Sequence, residues 1–143
     1  MAIEVRRASA EEIRELRLSV LRPSAPREPS AYDRDPATVH IGAFEDTRAI
    51  GCATVFPEAY DGEPNAWRLR GMAVEASYRG KGVGRLVLEA ATAVPQEAGA
   101  PLMWANGRTT ALAFYERLGW TSVGEEFTYG PADLPHYVII RRL

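Results

Sequence analysis

Residues 3–7 alternate apolar and polar side chains from Ile3 through Val5, the period-two pattern of a short strand. The period then lengthens. Ser9 and Glu12 form a capping box, and Ile13, Leu16, Val20 and Leu21 recur at helical spacing until Pro23 stops the run. Proline and charge dominate residues 23–36, which predicts a loop or a short irregular helix. That segment is long for a structureless connection and is a candidate binding loop.

Residues 39–44 and 50–56 are strand-like and separated by Glu-Asp-Thr-Arg, which predicts a hairpin. The stretch PEAYDGEPN follows as a loop, and residues 67–74 form a further strand that runs into a glycine-rich turn. Beyond the turn Val83, Leu86, Val87, Ala90, Ala91 and Val94 mark one face of a helix ending near residues 95–99. Residues 102–105 are a short apolar strand. Ala111, Phe114, Tyr115 and Leu118 make a last helical stripe closed by Gly119. Strands over 121–129 and 136–143 finish the chain around a turn holding Gly130 and Pro131. Strands and helices mixed in this order, without repeat or linker, predict one α/β (α+β) domain over residues 1–143.

The size, 143 residues, is enough for a core that needs no disulfide or metal. With 46% apolar and 25% charged residues, the composition is that of a soluble globular protein. A net charge of −2 gives no electrostatic case for nucleic acid or an anionic membrane as partner. Cys52, the single cysteine, excludes an internal disulfide and a cysteine-based zinc cluster; in its apolar strand it reads as a buried thiol. The N-terminus offers no apolar signal core and no run approaches the ~20 residues that span a bilayer, so a cytoplasmic location is expected.

The turn itself reads YRGKGVGR, with Gly80, Gly82 and Gly84 at every second position and Lys81, the chain's one lysine, among them. Glycine loses more backbone entropy on folding than any other residue, so three here require a reason. Strand, glycine turn and amphipathic helix together suit a phosphate. The first helical N–H groups lack intrahelical partners, the helix dipole is positive there, and missing side chains let oxygens approach. The Walker pattern fails for want of a hydroxyl after Gly-Lys, and the dinucleotide fingerprint fails at Arg85. A purely structural turn and a nucleic-acid patch remain the competing readings of the bare pattern.

Arg79 to Gly84, RGKGVG, resembles the Gln/Arg-x-x-Gly-x-Gly/Ala coenzyme A loop of the GNAT N-acetyltransferase superfamily. Downstream, ALAFYERLGW resembles that family's A-x-x-F-Y-E-x-x-G-F segment, in the same order and at about the usual spacing. The resemblance implies a mixed, splayed sheet flanked by helices, with acetyl-CoA entering between two parallel strands that part, and no metal. It implies that Arg79, Gly80, Lys81, Gly82, Val83, Gly84 and Arg85 cradle the pyrophosphate. Met72, Ala73 and Val74 would pair with the pantetheine arm, and Tyr115 would protonate the departing thiolate. Asn106 is carried over as a coenzyme contact, because the family's usual asparagine position is Arg108 here. Ala76 replaces a common proline. The strand Trp-Arg-Leu-Arg-Gly-Met-Ala-Val lacks the glutamate that serves many members as general base, and Glu75 falls just beyond it.

The function so implied is transfer of an acetyl group to a primary amine of a small molecule, peptide or protein. A non-catalytic acyl-CoA-binding or sensing module is the alternative. Several residues carry a second, plainer reading. On spacing alone Tyr115 is a core tyrosine. His136 is a strand-end surface residue unless it overlooks the site, and His40 is packing. Tyr32, Asp33, Asp61 and Glu63 are loop residues whose acids could draw in a cationic amine. A homodimer stays open.

Overall fold

Two antiparallel pairings start the sheet in a computed structural model that describes residues 2–21, 31–130 and 132–143. β1 (Ile3–Ala8) lies against β2 (Val39–Glu45), which turns through Asp46 into β3 (Arg48–Pro57). β3 pairs with β4 (Trp67–Val74). The second half is β5 (Leu102–Arg108), β7 (Leu134–Arg142) and β6 (Thr121–Tyr129), giving the order β1-β2-β3-β4-β5-β7-β6. Every neighbouring pair is antiparallel except β4 and β5, which run parallel.

Helices cover both faces. α3 (Val83–Glu97) packs on β3 and β2 through Val83, Val87, Leu88 and Ala91, all buried against Ile50, Val55, Leu69 and Met103. Gly51 permits that approach, since a Cβ there would sit 2.8 Å from the Val83 side chain. α1 (Ala10–Leu21) covers the other face, with Ile13 and Leu16 buried against Cys52 and Ala73. Its start is the reciprocal cap read from sequence: Glu12 N–H donates to Ser9 Oγ at 3.1 Å and Ser9 N–H to Glu12 Oε1 at 2.9 Å. α2 (Ala31–Arg34) is a single turn inside the predicted loop, of which residues 23–30 lie outside the described residues. α4 (Leu112–Arg117) closes the α3 face. Among the described residues no helix is long and apolar enough to cross a membrane.

Three sequence expectations shift. The buried face of α3 carries Leu88 and Thr92, whereas Leu86 is 48% exposed. β5 runs on to Arg108, so Asn106 lies within the strand, not at its end. His136 is buried in β7 between the rings of Phe127 and Tyr129, not at a strand-end surface.

Burial also sets a pH limit on the fold. The Cys52 thiol donates to Gly71 O at 3.4 Å, and burial pushes its pKa up to about 12. Burial likewise raises Tyr115 to about 12. A raised folded-state pKa stabilises fully below the unfolded value, 9.0 for the thiol and 10.0 for the phenol, and is lost as pH climbs toward 12. Three units on the thiol correspond to about 4 kcal/mol at most. The urea midpoint is therefore expected to fall between pH 9 and 12, and to fall less steeply in Cys52→Ala, which has no thiol to ionise. Parallel curves for the two proteins would show that the thiol does not govern alkaline stability.

Candidate active site

The parallel pair is where the sheet opens. β4 and β5 are in register only at Trp67↔Met103 and Arg68↔Trp104. That closed end is clasped by side chains: the Arg68 guanidinium lies 4.5 Å from the Trp104 ring, Arg68 donates to Glu58 at 3.1 Å, and Trp104 Nε1–H donates to Glu58 O at 3.0 Å. Farther along, β4 stays with β3 as far as Val74, and β5 stays with β7 as far as Arg108. Two strand edges thus face each other without pairing. Unpaired backbone N–H and C=O groups at such edges accept an extended ligand that brings amides of its own. Met72, Ala73 and Val74 occupy the β4 side of this opening.

A bulge shapes the same strand. The β3–β4 register slips between Cys52 and Thr54, and Gly71 takes a φ of 63° within the slip. Arg68 and Arg70 thereby point to the face of α1, while Met72 and Val74 join the core beneath α3.

At the open end the chain leaves β4, makes a 3-10 turn over Ala76–Tyr78, and enters α3 through the glycines. The three glycines have two physical causes. Gly80 and Gly82 have φ of 77° and 83°, and nothing lies within 4 Å of where their Cβ atoms would be. The space above them is open, and left-handed backbone there favours glycine. Gly84 is instead packed, its Cβ position 3.3 Å from the Phe114 ring. Leu86 N–H donates to Gly82 O at 3.2 Å, so Val83, Gly84 and Arg85 contribute the N–H groups that a helix start leaves for a ligand.

The basic side chains of the turn are held lightly. Arg79 Nε donates to Val74 O at 3.3 Å, Lys81 Nζ stands 5.8 Å from the Tyr78 ring, and Arg85 pairs with Glu89 at 2.9 Å on an exposed surface. Pairs of that kind contribute little and are readily exchanged for an anion. Glu75 is committed elsewhere, with both carboxylate oxygens within 2.8 Å of Arg48 Nη1.

Tyr115 packs against β5 on the α3 face. Its ring packs edge-on to Phe114 and Trp120, with centroids 5.3 and 5.6 Å away, and lies 3.6 Å from where a Cβ on Gly107 of β5 would be. The phenol, 7% exposed, stays protonated far above neutral pH because burial disfavours the phenolate.

The opposite face holds Arg68, Arg70 and Tyr129, which sequence reading did not single out, beside Asn106 and Tyr32, which it did. The Tyr129 hydroxyl accepts from Arg68 Nη2 at 3.2 Å, and the Asn106 amide approaches it from β5. Burial acts to raise the Tyr129 pKa, but Arg70 and Arg68 with these contacts outweigh it and leave the phenol below its ordinary value. Arg70 lies 4.8 Å from the Tyr32 ring, which stacks on Phe56. Two arginines at alternate positions of a strand with buried neighbours were the available signal. Asn106 thus sits beside Tyr129, on the face away from Tyr115.

Asp33, His40, Asp61 and Glu63 stand apart, whereas the His136 ring lies 5.2 Å from the Tyr129 ring on this same face. Asp33 is bonded by Arg17 through contacts of 3.1–3.3 Å, with side chains 6% and 13% exposed, and is not offered to an incoming amine. His40 is packing, as expected: its Nδ1 meets Thr54 Oγ1 at 2.8 Å, and burial lowers its pKa despite Asp33 at 3.6 Å. His136 Nδ1–H donates to Leu134 O at 2.7 Å. Asp61 and Glu63 lie in the tight turn after Tyr60.

The sequence profile described as the acetyltransferase (GNAT) family matches residues 8–120. The chain is 34% identical to the uncharacterized N-acetyltransferase YitI of Bacillus subtilis strain 168, over 99% of this chain and 97% of that protein. Its fold superimposes on Escherichia coli ElaA with a TM-score of 0.81 at 16% identity, covering 99% of this chain and 100% of ElaA. An acyl-CoA N-acyltransferase from Pseudomonas aeruginosa gives 0.80 at 17% identity, over 98% and 99% of the two chains. With its parted parallel strands, glycine turn and α4 tyrosine, the chain belongs to the GNAT acetyltransferase family, which performs acyl transfer with an acyl-CoA cosubstrate.

Proposed function

We propose that the protein moves an acetyl group from acetyl-CoA to a primary amine by direct attack. One observation carries this reading: the β4–β5 edges part beside a helix start whose Gly80 and Gly82 leave open space, with the Tyr115 ring against Gly107 of β5. The pyrophosphate rests on the turn from Arg79 to Arg85, with Gly80 and Gly82 giving access and Lys81 and Arg79 adding charge. The pantetheine amides pair along Met72, Ala73 and Val74, and a β4 N–H polarises the thioester carbonyl.

The amine arrives on the Arg68–Asn106–Tyr129 side. A substrate ammonium with pKa near ~10 must first lose its proton. Glu75 is not the acceptor, since Arg48 holds it at the far end of β4, and water can carry that proton out. The nitrogen lone pair then forms the C–N bond. Backbone donors stabilise the tetrahedral oxyanion, an effect that usually lowers the barrier to acyl transfer more than any other. Collapse breaks the C–S bond, Tyr115 gives its proton to the thiolate, and the proton shed by the new amide nitrogen returns through water to the phenolate. The burial that holds the phenol proton also raises the proton affinity of a thiolate formed beside it, which keeps this transfer accessible.

Incubation with acetyl-CoA and a broad amine set, read as free thiol, tests the reading. Thiol release that requires both protein and amine is expected. Tight acetyl-CoA binding without release for any amine would make the chain a sensing module instead.

A further inference from the structure

We propose that the acceptor amine carries a carboxylate, seated against Arg70 and Arg68 on the sheet face away from α3. The proposal rests on the acetyltransferase reading for the word acceptor, but its physical basis is the charge on that face. Three guanidiniums, Arg17, Arg68 and Arg70, gather there around Tyr32, Trp104 and Tyr129. The carboxylates beside them are already engaged. Asp33 is bonded by Arg17, and Glu58 is bonded by Arg68. Among the described residues Arg70 lies over the Tyr32 ring and makes no ion pair.

Arg68 is likewise incompletely satisfied: its Nε is buried and has no hydrogen-bond partner. Arg70, half-buried and without a carboxylate partner among the described residues, is the costly one, and a ligand anion removes that cost. The guanidinium fork matches a carboxylate with two parallel bonds. The polar neighbours suit the same guest. The Tyr129 hydroxyl accepts from Arg68 Nη2 at 3.2 Å and keeps its own hydrogen to donate. A guanidinium and a hydroxyl side by side suit a carboxylate, whose two oxygens can take one each. A polyamine, by contrast, would bring positive charge to a positive wall. The class so defined is amino acids and amines bearing a nearby carboxylate.

The test compares initial rates of thiol release for the twenty L-amino acids, their carboxamides, spermidine, ethanolamine and O-phosphoethanolamine. Carboxamide amines lose their proton more easily, so faster turnover of the free acids goes against intrinsic reactivity. The acids are expected to exceed their carboxamides in kcat/KM by about tenfold to a hundredfold, the range for bonds to a charged group. Arg70→Gln should abolish that preference through KM without weakening acetyl-CoA, and Arg70→Lys should restore part of it. A binding arm needs no catalysis. With coenzyme A present, N-acetyl amino acids should raise the melting temperature of the wild type but not of Arg70→Gln, and their amides should raise neither. Equal handling of acids and amides in both arms would overturn the proposal, as would preference for spermidine. Preference for O-phosphoethanolamine would replace the carboxylate by a phosphate. If no amine releases thiol but the binding arm discriminates, the transferase reading falls and the anion site stands.

Discussion

Tyr115→Phe is expected to lower the single-turnover rate of acetyl transfer by about tenfold or more, within the range for general acids, with coenzyme affinity and melting temperature nearly unchanged. The substitution deletes one oxygen and keeps the ring. The ring itself makes the contacts, edge-on to Phe114 and Trp120 and close over Gly107. Packing therefore survives. What disappears is the proton that burial holds in place up to about pH 12. Without it the thiolate must leave as an anion in a site of low polarity, or wait for water.

Phe114→Leu provides the contrast. Phe114 lies against the Gly84 Cβ position at 3.3 Å and supports the start of α3, so its loss should reduce stability more than rate. Single-turnover conditions matter, because slow product release would hide a change in the chemical step. Wild-type turnover by Tyr115→Phe under those conditions would return Tyr115 to the role of a core tyrosine, the assignment its spacing alone supports.

Local signals in the sequence carried the fold most of the way. The capping box at Ser9 and Glu12, the β2–β3 hairpin and the strand–glycine turn–helix unit are each fixed by neighbours in sequence, and each appears where its pattern predicts. The face of α3 did so only in part: Val83, Val87 and Ala91 are buried as the stripe predicts, but Leu86 is exposed and Leu88 is buried instead. Leu86, Val87 and Leu88 are consecutive, so periodicity allows two stripes, and Thr92 conceals the true one. Its hydroxyl donates to Leu88 O at 2.7 Å, which lets a polar residue sit on the buried side. The end of β5 was hidden for a related reason. Asn-Gly-Arg reads as a turn, yet pairing with β7 carries the ladder through Asn106↔Val138 to Arg108↔His136. Gly107 is there because a Cβ would lie 2.9 Å from Ile139. Ladder pairing across more than twenty intervening residues leaves no local trace. The arginine face was less legible still. Arginines at alternate strand positions read as solvent-facing, and only the folded sheet brings Arg68 to Glu58, Trp104 and Tyr129.

Gly82→Val should eliminate most of the thermal stabilisation that acetyl-CoA gives the wild type. Coenzyme at a hundred times its Kd stabilises the native state by roughly 2.7 kcal/mol, enough for a shift of several degrees in a chain of this size. Gly82 is the residue before the first turn of α3, with φ of 83° and open space where a side chain would go. The isopropyl group placed there would stand between a phosphate and the N–H groups of Val83, Gly84 and Arg85. The backbone strain of valine at positive φ costs about 1–3 kcal/mol on its own, so a matched control is needed. Gly99 supplies it. It lies just past the other end of the same helix, has φ of 78°, and also has nothing within 4 Å of its Cβ position. Gly99→Val should therefore lose similar stability in the free protein. At that end the helix presents carbonyl groups and the negative end of its dipole, so no phosphate is expected there. The coenzyme-dependent shift should survive in Gly99→Val and vanish in Gly82→Val. Equal shifts in the two variants would remove the glycine turn from the coenzyme site and leave the openness above Gly80 and Gly82 without a guest.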